Sequence, residues 1–298
     1  MNYGILGKTT LPVSRIGFGC MSLGETDLYN SRLLHAAIEK GINFFDTADL
    51  YGQGQNEITI GKALKDKRKD LIIATKVGNQ WKQDGGSWIW NPRKSYILTA
   101  VNDSLERLQT DYIDLYQLHG GTIEDNIDDV IEAFSILQQQ GKIRYYGISS
   151  IRPNVIRSYA CRAAVTSVMM QYSLLDRRPE ESCLDLLADK NIAVLTRGSL
   201  ASGLLIDKPA RPYLNYGEEI VKQAATAIKQ FSGSQRGAAQ TALQFALQHP
   251  AITSAIVGIR TMEQLDEAVK TMEAPVLTAN EYQQLQAAIP KNYYKEHR

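Results

Sequence analysis

Short runs of apolar and β-branched residues alternate with longer amphipathic stretches along the whole 298-residue chain. This alternation is typical of parallel α/β folds, in which each strand is followed by a helix that packs on the sheet. The apolar runs predict eight strands: Ile16–Gly19, Ile42–Asp46, Leu71–Lys76, Ile113–His119, Ile143–Ser149, Ser167–Gln171, Ala193–Arg197 and Ala255–Gly258. Eight strand–helix units in about 250 residues match a closed barrel, whereas a doubly wound open sheet usually has fewer strands. The predicted fold class is therefore α/β, a (β/α)8 TIM barrel.

Glycines mark the ends of two predicted helices. A helical pattern over Ser31–Lys40 stops at Gly41, and another over Ile127–Gln140 stops at Gly141. Glycine takes the left-handed conformation that ends a helix more readily than any other residue. These glycines indicate that each helix ends before the next strand begins, as the barrel requires.

Three segments lie outside the strand–helix repeat. Tyr3–Ser14 predicts an N-terminal β-hairpin that plugs the barrel floor, and Ala279–Ile289 predicts an extra C-terminal helix. Gly78–Pro92 predicts a long loop that holds all 3 tryptophans. Because no low-complexity linker divides the chain, we expect residues 1–298 to form a single domain.

Composition and charge narrow the class of partner. The 33 Lys and Arg residues nearly balance the 32 Asp and Glu residues, so the net charge of +1 creates no field that would attract nucleic acid or an anionic membrane. No stretch is apolar enough to span a bilayer, and the first residues lack the pattern of a secretion signal. We expect a cytoplasmic protein that acts on a small molecule, without nucleic acid or membrane, and that can act as a monomer.

Common metal and nucleotide motifs are incomplete in this chain. Gly17-Phe18-Gly19 follows a strand, but Ser22 stands where a dinucleotide-binding fingerprint has its third glycine. The 4 histidines are scattered without an HExxH spacing, which predicts a metal-free protein. The 3 cysteines contain no CxxC pair, so buried free thiols are expected rather than disulfides or a zinc site: Cys20, Cys161 and Cys183.

Polar residues end three successive apolar strands. Asp46, Lys76 and His119 stand at strand ends, and Tyr51 follows in the loop after Asp46. In a barrel of this type the carboxyl ends of the strands meet at one mouth, so we expect the four side chains to meet there. Taken one at a time, the aspartate is explained as a helix cap, the lysine as a solvated surface residue and the histidine as a hydrogen-bonded interior residue. Their joint placement favours catalysis.

The four side chains together suit the reduction of a carbonyl group. Hydride added to the carbonyl carbon must be matched by a proton given to the oxygen, and a tyrosine with a pKa near 10 is a reluctant donor. A Lys76 cation would lower the pKa of Tyr51, and Asp46 would keep that lysine charged. His119 would hydrogen-bond the carbonyl oxygen and orient it.

Three segments of the chain closely resemble signatures of the aldo-keto reductases. They are Gly41–Gly52 (GINFFDTADLYG), Ser104–Leu115 (SLERLQTDYIDL) and Gly141–Ser149 (GKIRYYGIS). The resemblance extends over essentially the whole chain. It implies an enzyme that reduces aldehydes or ketones with NADP(H), with Asp46, Tyr51, Lys76 and His119 as the catalytic tetrad and Tyr51 as the proton donor.

The resemblance also implies where an extended NADP(H) crosses the barrel mouth. Serine and glutamine suit the nicotinamide amide, and Gly258 and Arg260 before a helix suit a phosphate. The implied cofactor residues are Cys20, Met21, Asp46, Ser149, Ser150, Gln171, Arg197, Gly198, Ser199, Leu200, Ala201, Ser202, Gly203, Lys208, Gly258, Arg260, Gln264 and Glu267. At two positions the chain departs from the family. Arg197 replaces an aromatic residue that stacks on the nicotinamide, and Ala268 replaces an asparagine near the adenine.

The loop that holds the tryptophans lies next to the predicted catalytic residues. Trp81, Trp88 and Trp90 follow the strand that ends at Lys76, so they form either an aromatic lid that contacts substrate or an anchor that pins the loop.

Two alternative functions remain open. One is a cofactor-binding regulatory module with little turnover. The other is an aldolase that uses Lys76 to form a Schiff base, which requires a neutral Lys76 free of Asp46.

Overall fold

Eight parallel strands close into one barrel in the computed structural model, which describes residues 1–24, 26–82 and 84–298. In chain order the strands are β1 (Tyr3–Ile5), β2 (Pro12–Ser14), β3 (Ile16–Gly19), β4 (Phe44–Asp46), β5 (Ile72–Val77), β6 (Asn79–Trp81), β7 (Trp88–Trp90), β8 (Ile113–Leu118), β9 (Ile143–Ser149), β10 (Ser167–Gln171), β11 (Ala193–Arg197) and β12 (Ile252–Gly258). The barrel order is β10-β11-β12-β3-β4-β5-β8-β9, and β9 pairs with β10 to close it. The predicted (β/α)8 barrel is confirmed.

Helices follow the barrel strands and cover the outside of the barrel. They are α1 (Asp27–Glu39), α2 (Gln55–Leu64), α3 (Lys94–Leu108), α4 (Ile127–Gln139), α5 (Pro153–Arg162), α6 (Cys183–Asp189), α7 (Glu218–Gln230), α8 (Ala238–Gln248), α9 (Met262–Lys270) and the C-terminal α10 (Ala279–Ala287). The predicted glycine stops are present, with φ of 88° at Gly41 and 71° at Gly141. Within the described part of the chain, none of these helices has the length and apolar character to cross a bilayer.

The N-terminal hairpin of β1 and β2 plugs the barrel floor, as the sequence predicts. Leu6, Leu11 and Val13 are buried and pack in one apolar cluster with inward-facing barrel residues such as Phe44 and Leu115. A second and larger apolar core lies between the barrel and its helices. The floor is therefore filled by side chains, which leaves the opposite mouth as the open end of the barrel.

Several element boundaries differ by a few residues from the expectations: β4 begins at Phe44 rather than Ile42, and α1 begins at Asp27 rather than Ser31. Three other details also differ. The strand expected to begin at Ala255 begins at Ile252, because the Ser254 hydroxyl donates a 2.7 Å hydrogen bond to the carbonyl of Ser14 and so tolerates burial in the sheet. The tryptophan segment is an antiparallel hairpin, β6–β7, rather than an irregular loop. The third detail concerns the thiols: Cys20 and Cys183 are buried, but Cys161 is exposed because it follows the buried pair Tyr159 and Ala160 onto the solvent face of α5.

Candidate active site

The four predicted side chains come together at the barrel mouth. Lys76 Nζ lies 2.7 Å from Asp46 Oδ2 and 3.4 Å from the Tyr51 hydroxyl. The rings of Tyr51 and His119 meet edge to face, with centroids 5.9 Å apart. Asp46 ends β4, Lys76 lies one residue before the end of β5, and His119 directly follows β8. Neighbouring parallel strands thus bring the cluster together from residues far apart in sequence.

Lys76 is a buried cation with a full set of oxygen partners. Its side chain is 1% exposed and that of Asp46 is 6% exposed. Besides Asp46 and Tyr51, the ammonium group donates a 2.6 Å hydrogen bond to the carbonyl of Thr47. Burial alone would lower the pKa of Lys76, but the charge of Asp46 and the contact with Tyr51 outweigh burial and raise it. Lys76 therefore stays protonated at neutral pH.

Tyr51 is a protonated phenol held beside that cation. Burial raises its pKa, and the charge of Lys76 opposes the rise without reversing it. The expected influence of Lys76 is thus present, but burial outweighs the cation, so the pKa of Tyr51 is raised overall. A phenol that keeps its proton at neutral pH is available as a donor.

His119 is an uncharged imidazole. Burial and the cations Lys76 and Arg197 lower its pKa to about 3. Its Nδ1 is buried without a hydrogen-bond partner among the described residues. The backbone fixes its place, because the His119 amide donates to the carbonyl of Val77 at 2.7 Å. A neutral imidazole with a free polar atom is suited to hydrogen-bond a bound ligand.

The loop after Tyr51 makes a sharp turn. Gly52, Gln53 and Gly54 follow each other in left-handed conformation, with φ of 57°, 55° and 86°. A Cβ on Gly54 would lie 2.6 Å from the side chain of Arg107, which forms a 2.7 Å ion pair with the wholly buried Glu57. The turn therefore lies directly against a buried ion pair between α2 and α3.

The predicted run from Arg197 to Gly203 forms a turn that is suited to an anion. Gly198, Ala201, Ser202 and Gly203 all have positive φ, between 47° and 91°. Amides in such turns can line an anion-binding concavity, although those of Ala201 and Gly203 donate within the turn to the carbonyls of Gly198 and Leu200. The stem of Lys208 packs on Gly203, with Cδ 3.1 Å from the position of a Cβ. These residues fit the diphosphate of a dinucleotide.

A second cationic position stands at the start of α9. Arg260 is exposed, and its backbone amide donates a 2.9 Å hydrogen bond to Gln264 Oε1. Gly258 ends β12 so close to the Ser22 side chain that a Cβ would lie 2.5 Å from its Oγ. Glu267 is exposed one turn further along α9. The exposed guanidinium fits a phosphate group that approaches from solvent.

The remaining predicted cofactor residues lie on the barrel rim. Met21 is 67% exposed, whereas Cys20 is wholly buried, which leaves it only backbone groups for a ligand. Ser149 and Ser150 end β9 and begin the loop after it. Gln171, at the end of β10, donates a 2.7 Å hydrogen bond from Nε2 to the Tyr213 hydroxyl. Its amide is thereby held at the end of its strand.

The three tryptophans differ in their surroundings. Trp90 Nε1 donates a 2.9 Å hydrogen bond to Asp125, and its ring lies so close to Gly78 that a Cβ there would come within 2.6 Å. Trp88 is 48% exposed at the opposite end of the same strand, paired across the hairpin with Trp81. Trp90 is thus fixed as an anchor, and Trp88 has a free surface.

Two polar residues at the site were missed by sequence reasoning. Gln117 is buried on β8 and donates from Nε2 to Asp46 Oδ1 at 3.4 Å. An amide between the apolar residues Tyr116 and Leu118 of a buried strand indicates a buried polar partner. Tyr213, the partner of Gln171, lies in an irregular segment after β11. No pattern in the sequence connects it to the barrel mouth.

Comparison with known proteins agrees with this geometry. The sequence model of the aldo/keto reductase family matches residues 15–290. The uncharacterized oxidoreductase YqkF of Bacillus subtilis (strain 168) is 48% identical over 302 residues, which cover 98% of each chain. The aldo-keto reductase AKR11C1 of Bacillus halodurans superposes in its holo form with a TM-score of 0.94 at 48% identity, over 100% of this chain and 99% of that chain. Its apo form, at 45% identity and the same coverage, gives a TM-score of 0.86. The chain therefore belongs to the aldo/keto reductase family of oxidoreductases.

Proposed function

We propose that this enzyme reduces aldehydes or ketones to alcohols with NADPH, and that Tyr51 donates the proton. The observation that carries the proposal is the buried chain of contacts from Asp46 through Lys76 to the Tyr51 hydroxyl, beside the neutral ring of His119. Bound NADPH supplies the hydride. The residues of the chain then bind the carbonyl, orient it and complete the proton transfer.

Each member of the tetrad has a role that follows from its surroundings. His119 hydrogen-bonds the carbonyl oxygen as a neutral imidazole, and Tyr51 gives that oxygen its proton when the hydride reaches the carbon. Lys76 stabilises the tyrosinate that is left. Asp46 keeps Lys76 charged in a buried position.

The mouth of the barrel also supports NADP(H) as the cofactor. The turn of positive-φ residues at Gly198–Gly203 suits the diphosphate, Gln171 suits the nicotinamide amide, and Arg260 suits a 2′-phosphate. The chain superposes better on the holo form than on the apo form of the B. halodurans relative. The preference for NADPH over NADH rests on Arg260.

The structure disfavours the aldolase alternative. A Schiff-base lysine must lose its proton, but Lys76 is paired with Asp46 at 2.7 Å and its pKa is raised. Borohydride reduction with a carbonyl substrate should therefore leave no adduct on Lys76, and a stable adduct would support the aldolase.

Turnover distinguishes an enzyme from a regulatory module. The purified protein is mixed with NADPH and a panel of aldehydes and ketones, and NADPH absorbance is followed with and without each compound. Multiple turnovers with at least one carbonyl compound support the proposal. Tight NADPH binding with no turnover on any compound would favour the module.

A further inference from the structure

Arg197 places an unpaired positive charge at the barrel mouth. It is the last residue of β11, and its side chain is exposed. Its guanidinium makes one polar contact within residues 1–24, 26–82 and 84–298, a 3.4 Å hydrogen bond from Nη1 to Gln171 Oε1. No carboxylate in those ranges lies within 4.0 Å of it, whereas Lys76 is neutralised by Asp46. Arg197 is therefore a cation at the mouth without a carboxylate partner in those ranges, next to the predicted nicotinamide side of the site.

Its charge reaches the groups that surround the reaction. Burial has the largest influence on the pKa of Asp46, Tyr51 and His119, and the Arg197 charge also lowers the pKa of all three. The hydride must reach the carbon bonded to the oxygen that Tyr51 protonates. In a productive arrangement the reacting atoms are about 3–3.5 Å apart, so the nicotinamide ring lies in the same small space. Arg197 is the last residue of β11 and so lies at the same barrel mouth as the tetrad, where its guanidinium borders the space that this ring must enter.

The nicotinamide ring changes its charge in the reaction. The neutral dihydropyridine loses a hydride and becomes a pyridinium cation, while the carbonyl carbon gains the hydride and the oxygen gains the proton of Tyr51. A guanidinium is attracted to the face of a neutral ring and repelled by a cationic one. Arg197 thus acts in opposite senses on the two forms of the cofactor.

We propose that Arg197 makes the site bind the reduced cofactor more tightly than the oxidised cofactor. The inference rests on the proposed function and goes beyond it, because it assigns a direction to the site. Weak binding of the oxidised form speeds its release after carbonyl reduction. The repulsion between two unit charges about 6 Å apart near a protein surface corresponds to a preference of about 10- to 100-fold for the neutral, reduced ring over the cationic, oxidised ring.

Gln171 holds the Arg197 guanidinium in position through its own side-chain contacts. Its amide donates to Tyr213 at 2.7 Å and accepts from Arg197 at 3.4 Å, so the exposed guanidinium has a partner at the rim. A Cβ on Gly198 would lie 3.3 Å from Gln171 Cγ, which shows that the backbone beside Arg197 is packed on the same side chain. The cation is therefore held at the ends of β10 and β11.

The test measures dissociation constants of NADPH and NADP⁺ by quenching of tryptophan fluorescence, without any substrate. The wild type is compared with Arg197→Met, which keeps the length of the stem, and with Arg197→Lys, which keeps the charge. We expect the wild type to bind NADPH at least about 10-fold more tightly than NADP⁺. Arg197→Met should bring the two constants together, mainly through tighter NADP⁺ binding, while Arg197→Lys retains most of the preference. Since the side chain is exposed, these variants should fold normally.

The binding constants distinguish failure of the Arg197 inference from failure of the proposed function. If the wild type binds both forms equally, or if Arg197→Met weakens both by the same factor, the inference is wrong and the proposed reduction is untouched. If the wild type binds neither form, the proposed function itself is wrong, and this inference fails with it. Raising the salt concentration provides a second check, because it should reduce the wild-type preference and leave the Arg197→Met ratio unchanged.

Discussion

Replacing Lys76 by methionine should destabilise the fold as well as stop catalysis. The change removes the 2.7 Å ion pair to Asp46 and the 2.6 Å hydrogen bond to the Thr47 carbonyl, and it leaves a carboxylate that is only 6% exposed without its cation. Breaking a buried pair by removing one partner typically costs about 3–5 kcal/mol, because an uncompensated charge remains. We expect a loss of that size at pH 8.

A second variant tests whether the unpaired charge of Asp46 causes this loss of stability. Lys76→Met combined with Asp46→Asn removes the orphaned charge, so the double variant should be less destabilised than Lys76→Met alone, although both are inactive. The loss in the single variant should also depend on pH. Burial raises the pKa of Asp46 in the folded protein, so the protonated form is favoured there, and the penalty shrinks as pH falls towards the unfolded value of about 3.9.

Urea denaturation at pH 8 and pH 5, followed by circular dichroism, measures both effects. The free energy of unfolding of the single variant should be closer to that of the wild type at pH 5 than at pH 8, and the double variant should show little of this pH dependence. A single variant that loses less than about 1 kcal/mol at pH 8 would refute the reasoning. So would a double variant no more stable than the single one.

Three further predictions test other parts of the site. Arg260→Ala should weaken NADPH binding by about 1.5–3 kcal/mol and leave NADH nearly unchanged, as measured by fluorescence titration; equal weakening of both cofactors would exclude Arg260 as the reader of the phosphate. Trp90→Ala should lower thermal stability, because Trp90 is hydrogen-bonded and packed, whereas Trp88→Ala should mainly raise KM for bulky aromatic aldehydes relative to short aliphatic ones; an unchanged ratio of kcat/KM would make Trp88 an anchor as well. Since the pKa of His119 is about 3, the rate of reduction should show no histidine inflection between pH 5 and 8; a step near pH 6.5 that disappears in His119→Gln would contradict a neutral His119.

The barrel was predictable because each strand repeats the same local pattern. Buried parallel strands are continuous apolar runs, and a glycine that ends a helix acts through its own backbone, so both are visible in a short window of sequence. The predicted start of β12 was wrong because it depends on a hydrogen bond between residues far apart in sequence, from the Ser254 hydroxyl to the carbonyl of Ser14. The β6–β7 hairpin was missed because its strands have only three residues each.

The candidate site was predictable only as far as strand ends determine it. Asp46, Lys76 and His119 were found because a parallel barrel brings such positions together. The direction of the pKa shift of Tyr51 was not, since it depends on whether burial or the Lys76 cation dominates, and burial follows from the packing of the whole mouth. Tyr213 and the tether of Arg197 through Gln171 also depend on tertiary contacts between separate loops.

The most direct test of proton donation by Tyr51 is rapid mixing of NADPH-loaded Tyr51→Phe with a reactive aldehyde. NADPH oxidation is followed in a single turnover and compared with the wild type, and the dissociation constant for NADPH is measured on the same samples. Because the substitution removes only the hydroxyl, we predict that the rate falls by about 10²- to 10⁴-fold while NADPH binding stays within about two-fold. Reduction at a rate near that of the wild type would contradict the assignment of Tyr51 as the proton donor.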